Sequence, residues 1–290
     1  MRHIILISGK DSLSTALVQI GRAPNLPYEL VHNDTGWDLP ETMEWLKRVE
    51  SHLDLPIHHC GDDLDEICAE ENVLPTAFRR FCTRRAKIEP LNEYIGTDPV
   101  VVYFGLRADE PSRVGYKPHA NQELTPCYPL RESGYVLNDV WRLCEKANLL
   151  PPSFHWQWIE DRVRRLLGKD SWLLEGVEPW DRMRLLAWRS RSNCDRCFYA
   201  AQYEKVGLYE HHPDRFEDAC CLEERLCHGE EFSWAKGYRL RDLIPRADAI
   251  KKRRASQVVR YLRTKQVRYL FDDRPTDDLA VTSCGLLCGK

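Results

Sequence analysis

Five consecutive apolar residues, Val100-Val101-Val102-Tyr103-Phe104, constrain this chain more than any other feature. A strand without polar alternation must be covered on both faces, as in a parallel sheet between helical layers. The segments before it set the same pattern. Arg2–Ser8 is a β-branched run, followed by a Gly-containing turn. Asp11–Ile20 then carries Leu13, Leu17 and Ile20 at helical spacing. Tyr28–His32 reads as a second strand. Pro40 opens a helix bearing Met43, Leu46 and Val49, since Pro costs nothing where the N–H has no partner anyway. Leu55–His59 is a third strand, and two helical stretches, Asp63–Glu71 and Ala77–Tyr94, lead to the strand Pro99–Gly105. Strand alternating with helix predicts an open, mainly parallel α/β sheet.

Beyond residue 135 the strand signals fade. Val136–Leu149, His155–Leu167 and Ala247–Phe271 read as helices, and the stretch from Trp172 to Phe232 is rich in Trp, Arg and Cys. The expected organisation is an α/β domain over 1–135, a helical cysteine-bearing domain over 136–245, and a basic helix with a Cys/Gly tail over 246–290. Of the 290 residues, 43% are hydrophobic and 30% charged, which excludes a disordered chain or a small disulfide scaffold. No apolar run approaches the roughly 18 residues of a membrane span, so no membrane partner is expected. The start, MRHIILISGK, reads as a first strand and not as a signal peptide. Twelve cysteines without an export signal point to a reducing compartment, the cytoplasm. There, clustered cysteines bind metal, hold an iron–sulfur cluster or do redox chemistry. The clusters are Cys194 with Cys197, Cys220 with Cys221 and Cys227, and Cys284 with Cys288. Cys60, Cys68, Cys82, Cys127 and Cys144 are dispersed, as small buried apolar side chains often are.

Several short segments carry chemistry. Ser8-Gly9-Lys10-Asp11-Ser12 sits between the first strand and the first helix, where backbone N–H groups and the helix dipole converge on an anion. The spacing is not that of a Walker A loop. Asp34-Thr35-Gly36 and Pro40-Glu41-Thr42 follow the second strand. Asp34 suits a ribose, an adenine or Mg²⁺, or simply an N-cap. Gly105-Leu106-Arg107-Ala108-Asp109-Glu110, with Arg113, follows the strongest strand. Arginine suits a bidentate grip on phosphate or sulfate, and Asp109 and Glu110 suit Mg²⁺ or mutual salt bridges.

These segments, in this order, resemble the phosphoadenosine phosphosulfate (PAPS) reductase family of the PP-loop ATP pyrophosphatase superfamily. The first is similar to the PP-loop Ser-Gly-Gly-x-Asp-Ser, with one glycine missing. The second resembles the family's Asp-Thr-Gly…Pro-Glu-Thr, and the third its Gly-Leu/Ile-Arg-x-Asp-Glu-Ser…Arg. A fourth segment, Phe81-Cys82-Thr83-Arg84-Arg85-Ala86-Lys87-Ile88-Glu89-Pro90-Leu91, is similar to the Cys-Cys-x-x-Arg-Lys-Val-x-Pro-Leu of APS reductases, with Thr83 replacing the second cysteine. Asn193-Cys194-Asp195-Arg196-Cys197 resembles the Cys-x-x-Cys that completes an iron–sulfur cluster in such enzymes. Ser283-Cys284-Gly285-Leu286 resembles the reductase tail Glu-Cys-Gly-Leu/Ile-His, with Ser in place of Glu and Leu287 in place of His.

The resemblance implies a Rossmann-like, adenine nucleotide alpha-hydrolase-like sheet. It implies a nucleotide held by Ser8, Gly9, Lys10, Asp11, Ser12, Asp34, Thr35, Gly36, Gly105, Arg107 and Arg113, with Mg²⁺. Asp11, Ser12, Lys87 and Cys284 are the implied catalytic residues. Cys82, Cys194, Cys197, Cys220 and Cys221 are the implied ligands of a 4Fe–4S cluster, or of zinc. Three functions follow. In the first, ATP activates an acceptor, pyrophosphate leaves, and sulfur from the cluster or a cysteine persulfide displaces AMP. In the second, Cys284 attacks the sulfur of PAPS or APS. In the third, the chain is a non-catalytic nucleotide or nucleic-acid binder with structural zinc. A sulfur donor protein or a thioredoxin-like reductant is the implied protein partner. The segment 247–271 carries Lys251, Lys252, Arg253, Arg254, Arg260, Arg263, Lys265 and Arg268 with no acid between them, which suits a phosphate backbone or a solvated face. With a net charge of −3, any attraction to nucleic acid is local.

Overall fold

The computed structural model describes residues 1–77, 79–113, 115, 123–151, 157–189, 194–226, 234 and 237–266. The first half runs β1 (Arg2–Leu6), α1 (Lys10–Arg22), β2 (Tyr28–Asn33), α2 (Pro40–Leu53), β3 (Ile57–Cys60) and α3 (Leu64–Glu71). It continues through α4 (Phe81–Thr83), a π-helical turn (Arg84–Ile88), α5 (Glu89–Ile95), β4 (Val100–Tyr103), β5 (Leu124–Cys127) and α6 (Pro129–Glu132). The strands form one five-stranded sheet in the order β3-β2-β1-β4-β5, and every pairing is parallel. This is the expected Rossmann-like α/β architecture.

Side-chain alternation sorts the sheet into two buried faces. Ile5, Ile7, Leu30, Val101 and Tyr103 pack with Leu13 and Ala16 of α1 and with Trp45, Leu46 and Val49 of α2. Ile4, Leu6, Val31, Val100, Val102 and Phe104 face the other way, against Leu91 and Ile95 of α5. The continuous apolar run of β4 is thus explained by cover on both sides.

Two features depart from the sequence reading. β5 was not expected. It is a four-residue edge strand containing Pro126 (opposite Val102), with no β-branched run to announce it. An edge tolerates Pro because one side of the strand needs no ladder bond. The helix expected over Ala77–Tyr94 begins at Phe81 and widens into a π turn closed by the Glu89 N–H on the Arg84 carbonyl. Pro90 supplies the reason, since it has no N–H and its ring would collide with the Ala86 carbonyl of a regular α-helix. Such π turns recur at functional sites.

The remainder is helical: α7 (Leu137–Lys146), α8 (Glu160–Leu167), α9 (Trp172–Glu175), α10 (Pro179–Leu186), α11 (Gln202–His211), α12 (Pro213–Leu226) and α13 (Ala247–Thr264). It shares a core with the α/β half, because Trp37, Leu64, Ile67 and Phe81 pack with Trp188, Tyr203, Phe216 and Leu243. α13 buries Ala255, Val258, Val259 and Leu262 against Ile159, Val163, Leu174 and Leu186. The basic helix is therefore part of the helical layer. Among the described residues, no helix is long and apolar enough to cross a membrane.

Candidate functional site

The strand order fixes where a ligand fits. β1 and β4 are neighbours, and the chain leaves them towards opposite edges of the sheet. The loops after their carboxyl ends diverge, and open α/β sheets bind ligands in such a crevice. The loop after β1 is Ser8–Ser12. Ser12 Oγ accepts the N–H groups of Ser8 (2.8 Å) and Gly9 (3.0 Å) and donates to the Gly9 carbonyl at 2.9 Å. One hydroxyl thereby shapes the turn that feeds the positive end of α1. The loop after β4 starts at Gly105, where a Cβ would lie 2.8 Å from the Asp11 carbonyl carbon and 2.9 Å from the Ser12 nitrogen. Glycine lets the two loops touch.

Charge follows the same geometry. Lys10 donates to Asp11 at 2.6 Å, and Arg107 Nη1 donates to the other Asp11 oxygen at 2.7 Å. Arg107 Nε donates to Asp109 at 2.8 Å, and Arg113 Nη1 reaches both oxygens of Glu110 at 3.0 Å. Arg131 pins the loop by donating to the Glu110 and Arg113 carbonyls. Burial alone would raise the Asp11 carboxyl, but Lys10 and Arg107 hold it below the ordinary range. Burial likewise opposes the charge of Arg107, yet Asp11, Glu110 and Asp109 keep its pKa above the usual value. The cations at this crevice are held by carboxylates whose places an incoming polyphosphate can take. Asp109 and Glu110, expected as Mg²⁺ ligands or salt-bridge partners, are placed as arginine partners, and Asp109 also accepts the Leu137 N–H at 3.3 Å.

The end of β2 forms the next wall. Asp34 accepts the Gly36 N–H at 3.0 Å, and Gly36 lies at φ +72°. Gly61 at φ +137° packs directly on the Asp34 backbone. Thr35 is buried, and its Oγ1 lies 3.6 Å from Cys194 Sγ. The Asp195 N–H donates to the Trp37 carbonyl at 2.7 Å. The Cys-x-x-Cys motif, 159 residues away in sequence from Thr35, therefore abuts the crevice.

Two residues at this wall escaped the sequence reading. His32 is buried on β2; its Nδ1 meets the Ile7 carbonyl at 2.8 Å, just before the PP-loop, and its Nε2 lies 3.6 Å from Asp38. Burial pulls the His32 pKa down, but Asp38, the Ile7 carbonyl and Asp34 raise it overall. Burial raises Asp38, but His32, Lys87 and Arg189 bring it below its ordinary value. Buried His32 and partly exposed Asp38 thus favour each other's charged forms and join the PP-loop strand to the 34–38 loop. The raised His32 contributes stability that is complete below its unfolded pKa of about 6.5 and is lost as pH rises through the folded value. The depressed Asp38 contributes stability lost only as pH falls through its own folded value. Thermal unfolding from about pH 6 to about pH 9 is expected to show wild-type stability declining, and His32→Gln removing that decline while costing about 3 kcal/mol at the acid end. Equal slopes in both proteins would refute the pair.

Lys87 lies in the π turn, close enough to Asp38 to lower its pKa, and its carbonyl accepts from Asn33 at 3.2 Å. It faces the β2 end of the crevice.

The described cysteines fall into two environments. Cys82 and Cys220 belong to one apolar cluster, with Cys194 packed against it and Cys68 as an unforeseen fourth member. Yet among the described residues no three His, Cys, Asp or Glu side chains converge as metal ligands. Cys221 is exposed and its thiol meets Glu217 at 3.6 Å, because neighbouring helix positions point about 100° apart. Burial pushes the Cys68 and Cys220 thiols up to about 12. Cys227, Cys284 and Cys288 lie outside the described residues, as does Arg268.

The family comparison agrees with the motifs. The phosphoadenosine phosphosulfate reductase domain family matches residues 2–158. An uncharacterized protein of Methanocaldococcus jannaschii is 31% identical over 106 residues, 35% of this chain and 22% of that protein. The match thus spans less than a quarter of that relative's length. A crystal structure of PAPS reductase from Candida auris, as a phosphate complex, aligns with a TM-score of 0.40 at 16% identity, over 52% of this chain and 74% of that one. By the family match over more than half its length, the chain belongs to the phosphoadenosine phosphosulfate reductase domain family.

Proposed function

We propose that this protein uses the crevice for ATP pyrophosphatase-type activation followed by sulfur transfer. The amides of Ser8–Ser12 with Lys10, Arg107 and Arg113 take the phosphates of MgATP. Asp34, Thr35 and Gly36 take the nucleoside side. An acceptor oxygen attacks the α-phosphorus and pyrophosphate leaves. A persulfide on Cys194, loaded by a sulfur donor protein, then attacks the activated carbon and AMP departs. Cys197 attacks the resulting disulfide, releasing the thiolated acceptor and leaving a Cys194–Cys197 disulfide for a thioredoxin-like reductant. The observation that carries the reading is the Cys194 thiol 3.6 Å from Thr35, at the wall of the crevice. A backbone turn from the Cys197 N–H to the Cys194 carbonyl (3.2 Å) already brings the two cysteines together.

The family match favours a second reading, in which the substrate is PAPS or APS; there Cys284 attacks the sulfur, the nucleotide leaves, and a thioredoxin-like dithiol reduces the Cys284 S-sulfonate to release sulfite. Parallel anaerobic incubations with ATP, PAPS and APS separate the two. Expected is pyrophosphate release from ATP, preserved in Cys194→Ser, with sulfur transfer lost at least about 100-fold in that variant. Sulfite from PAPS or APS, abolished by Cys284→Ser, would replace the proposal with the reductase. No turnover of any nucleotide would leave a binding protein.

A further inference from the structure

We infer that the outer face of α13, together with Trp172, is a binding surface for single-stranded nucleic acid. The inference is independent of the chemistry proposed for the crevice. The basic residues of α13 sort into two sets. Lys251 pairs with Glu210 at 2.9 Å, Arg254 is buried over the Tyr203 ring at 4.3 Å, and Arg263 pairs with Asp170 at 3.1 Å. Lys252, Arg253 and Arg260 are exposed, and no ion pair among the described residues holds them. The acid one turn before Lys252, Asp248, is already bonded to Arg162. At about 100° per residue, Lys252, Arg253, Ser256, Arg260 and Arg263 share one arc of roughly 100°, and Lys252 to Arg260 spans about 12 Å. In a chain of net charge −3, this is a local positive stripe.

A second observation gives the stripe a partner. Trp172 is 64% exposed, the most exposed aromatic among the large hydrophobic residues on the described surface. It stands two residues after Asp170, which Arg263 holds, so the indole lies at the Arg263 end of α13. α9, which begins at Trp172, packs against α13. The exposed indole at that end of the stripe offers a face on which a base can stack. A basic groove that tracks phosphates, with an aromatic side chain on which a base stacks, is how single strands are bound without sequence preference. A duplex offers the phosphates but keeps its bases stacked. An anionic membrane would need an exposed apolar helix face, whereas α13 buries Val258, Val259 and Leu262 in the core.

The test uses the full chain and fluorescence anisotropy with labelled oligothymidylate and oligouridylate of about 12 nucleotides, which distinguish DNA from RNA as the source. The combined variant Lys252→Gln, Arg253→Gln, Arg260→Gln is expected to bind at least about tenfold more weakly. It should also flatten the log–log salt slope by about 2, the loss of three phosphate contacts on a single strand. Trp172→Ala is expected to weaken binding about tenfold while leaving that slope unchanged, a split that mere misfolding would not produce. Thermal unfolding of both variants checks their fold. The inference is overturned if the wild type binds neither oligonucleotide, if the variants bind as the wild type does, or if a duplex or anionic vesicles bind equally well.

Discussion

Arg107→Ala is expected to lower nucleotide turnover by about 100-fold or more, the largest loss from any single side chain at the crevice. Arg107 ties together the two loops of the switch point. It bonds Asp11 at the start of α1, and Asp109 and Glu110 after β4. Removing it deletes the guanidinium proposed to grip the phosphates and leaves Asp11 and the buried Glu110 short of a counter-charge. Arg107→Lys restores charge without the planar fork, and is expected to recover nucleotide binding more than turnover. Steady-state kinetics with thermal unfolding as a control checks this. Turnover within threefold of the wild type in a folded Arg107→Ala protein would remove Arg107 from the site.

Gly61→Ala is expected to destabilise the protein by more than about 3 kcal/mol. At φ +137° the residue is in a region that L side chains rarely adopt, and a Cβ would lie 2.0 Å from the Asp34 carbonyl oxygen and 2.8 Å from its carbon. Both neighbours are backbone, and the Asp34 N–H is held by the Cys60 carbonyl at 2.7 Å, so neither can give way cheaply. Gly21→Ala is the control. That glycine sits in α1 with nothing within 4 Å of an added Cβ, and the change is expected to be neutral or stabilising by up to about 1 kcal/mol. Urea unfolding of the two variants measures the contrast. A Gly61→Ala loss below about 1 kcal/mol would mean that the 34–36 loop is not seated against β3 as described.

The sheet was legible where burial wrote itself into the residues. The apolar run of β4, the alternating faces of β1 and the N-terminal Pro of α2 all reflect local demands. β5 was not legible because a four-residue edge strand with a proline carries no local signature. The PP-loop, the Asp34 segment and the Arg107 segment could be read because each follows a strand end. Their convergence came from strand order, which no single segment encodes. His32 and Asp38 were missed for the same reason, since the pair exists only once β2 lies beside β1. The spacing of His32 with Val31 and Asn33 shows a histidine inside a strand and no more. The cysteines are the clearest case. Spacing groups Cys220 with Cys221, but the helix that carries them sends one into the core and the other to solvent. Cys194 meets Thr35 through tertiary contact alone.

An adenine nucleotide is expected to occupy the crevice at the carboxyl ends of β1, β2 and β4. Amide hydrogen exchange with and without saturating MgATP, and with PAPS, tests it most directly. Slowed exchange is expected at Ser8–Ser12, at Asp34–Gly36 and at Gly105–Asp109, with at least one of the two nucleotides. Unchanged exchange in all three segments while the nucleotide is bound, or protection confined to the helical region, would contradict it.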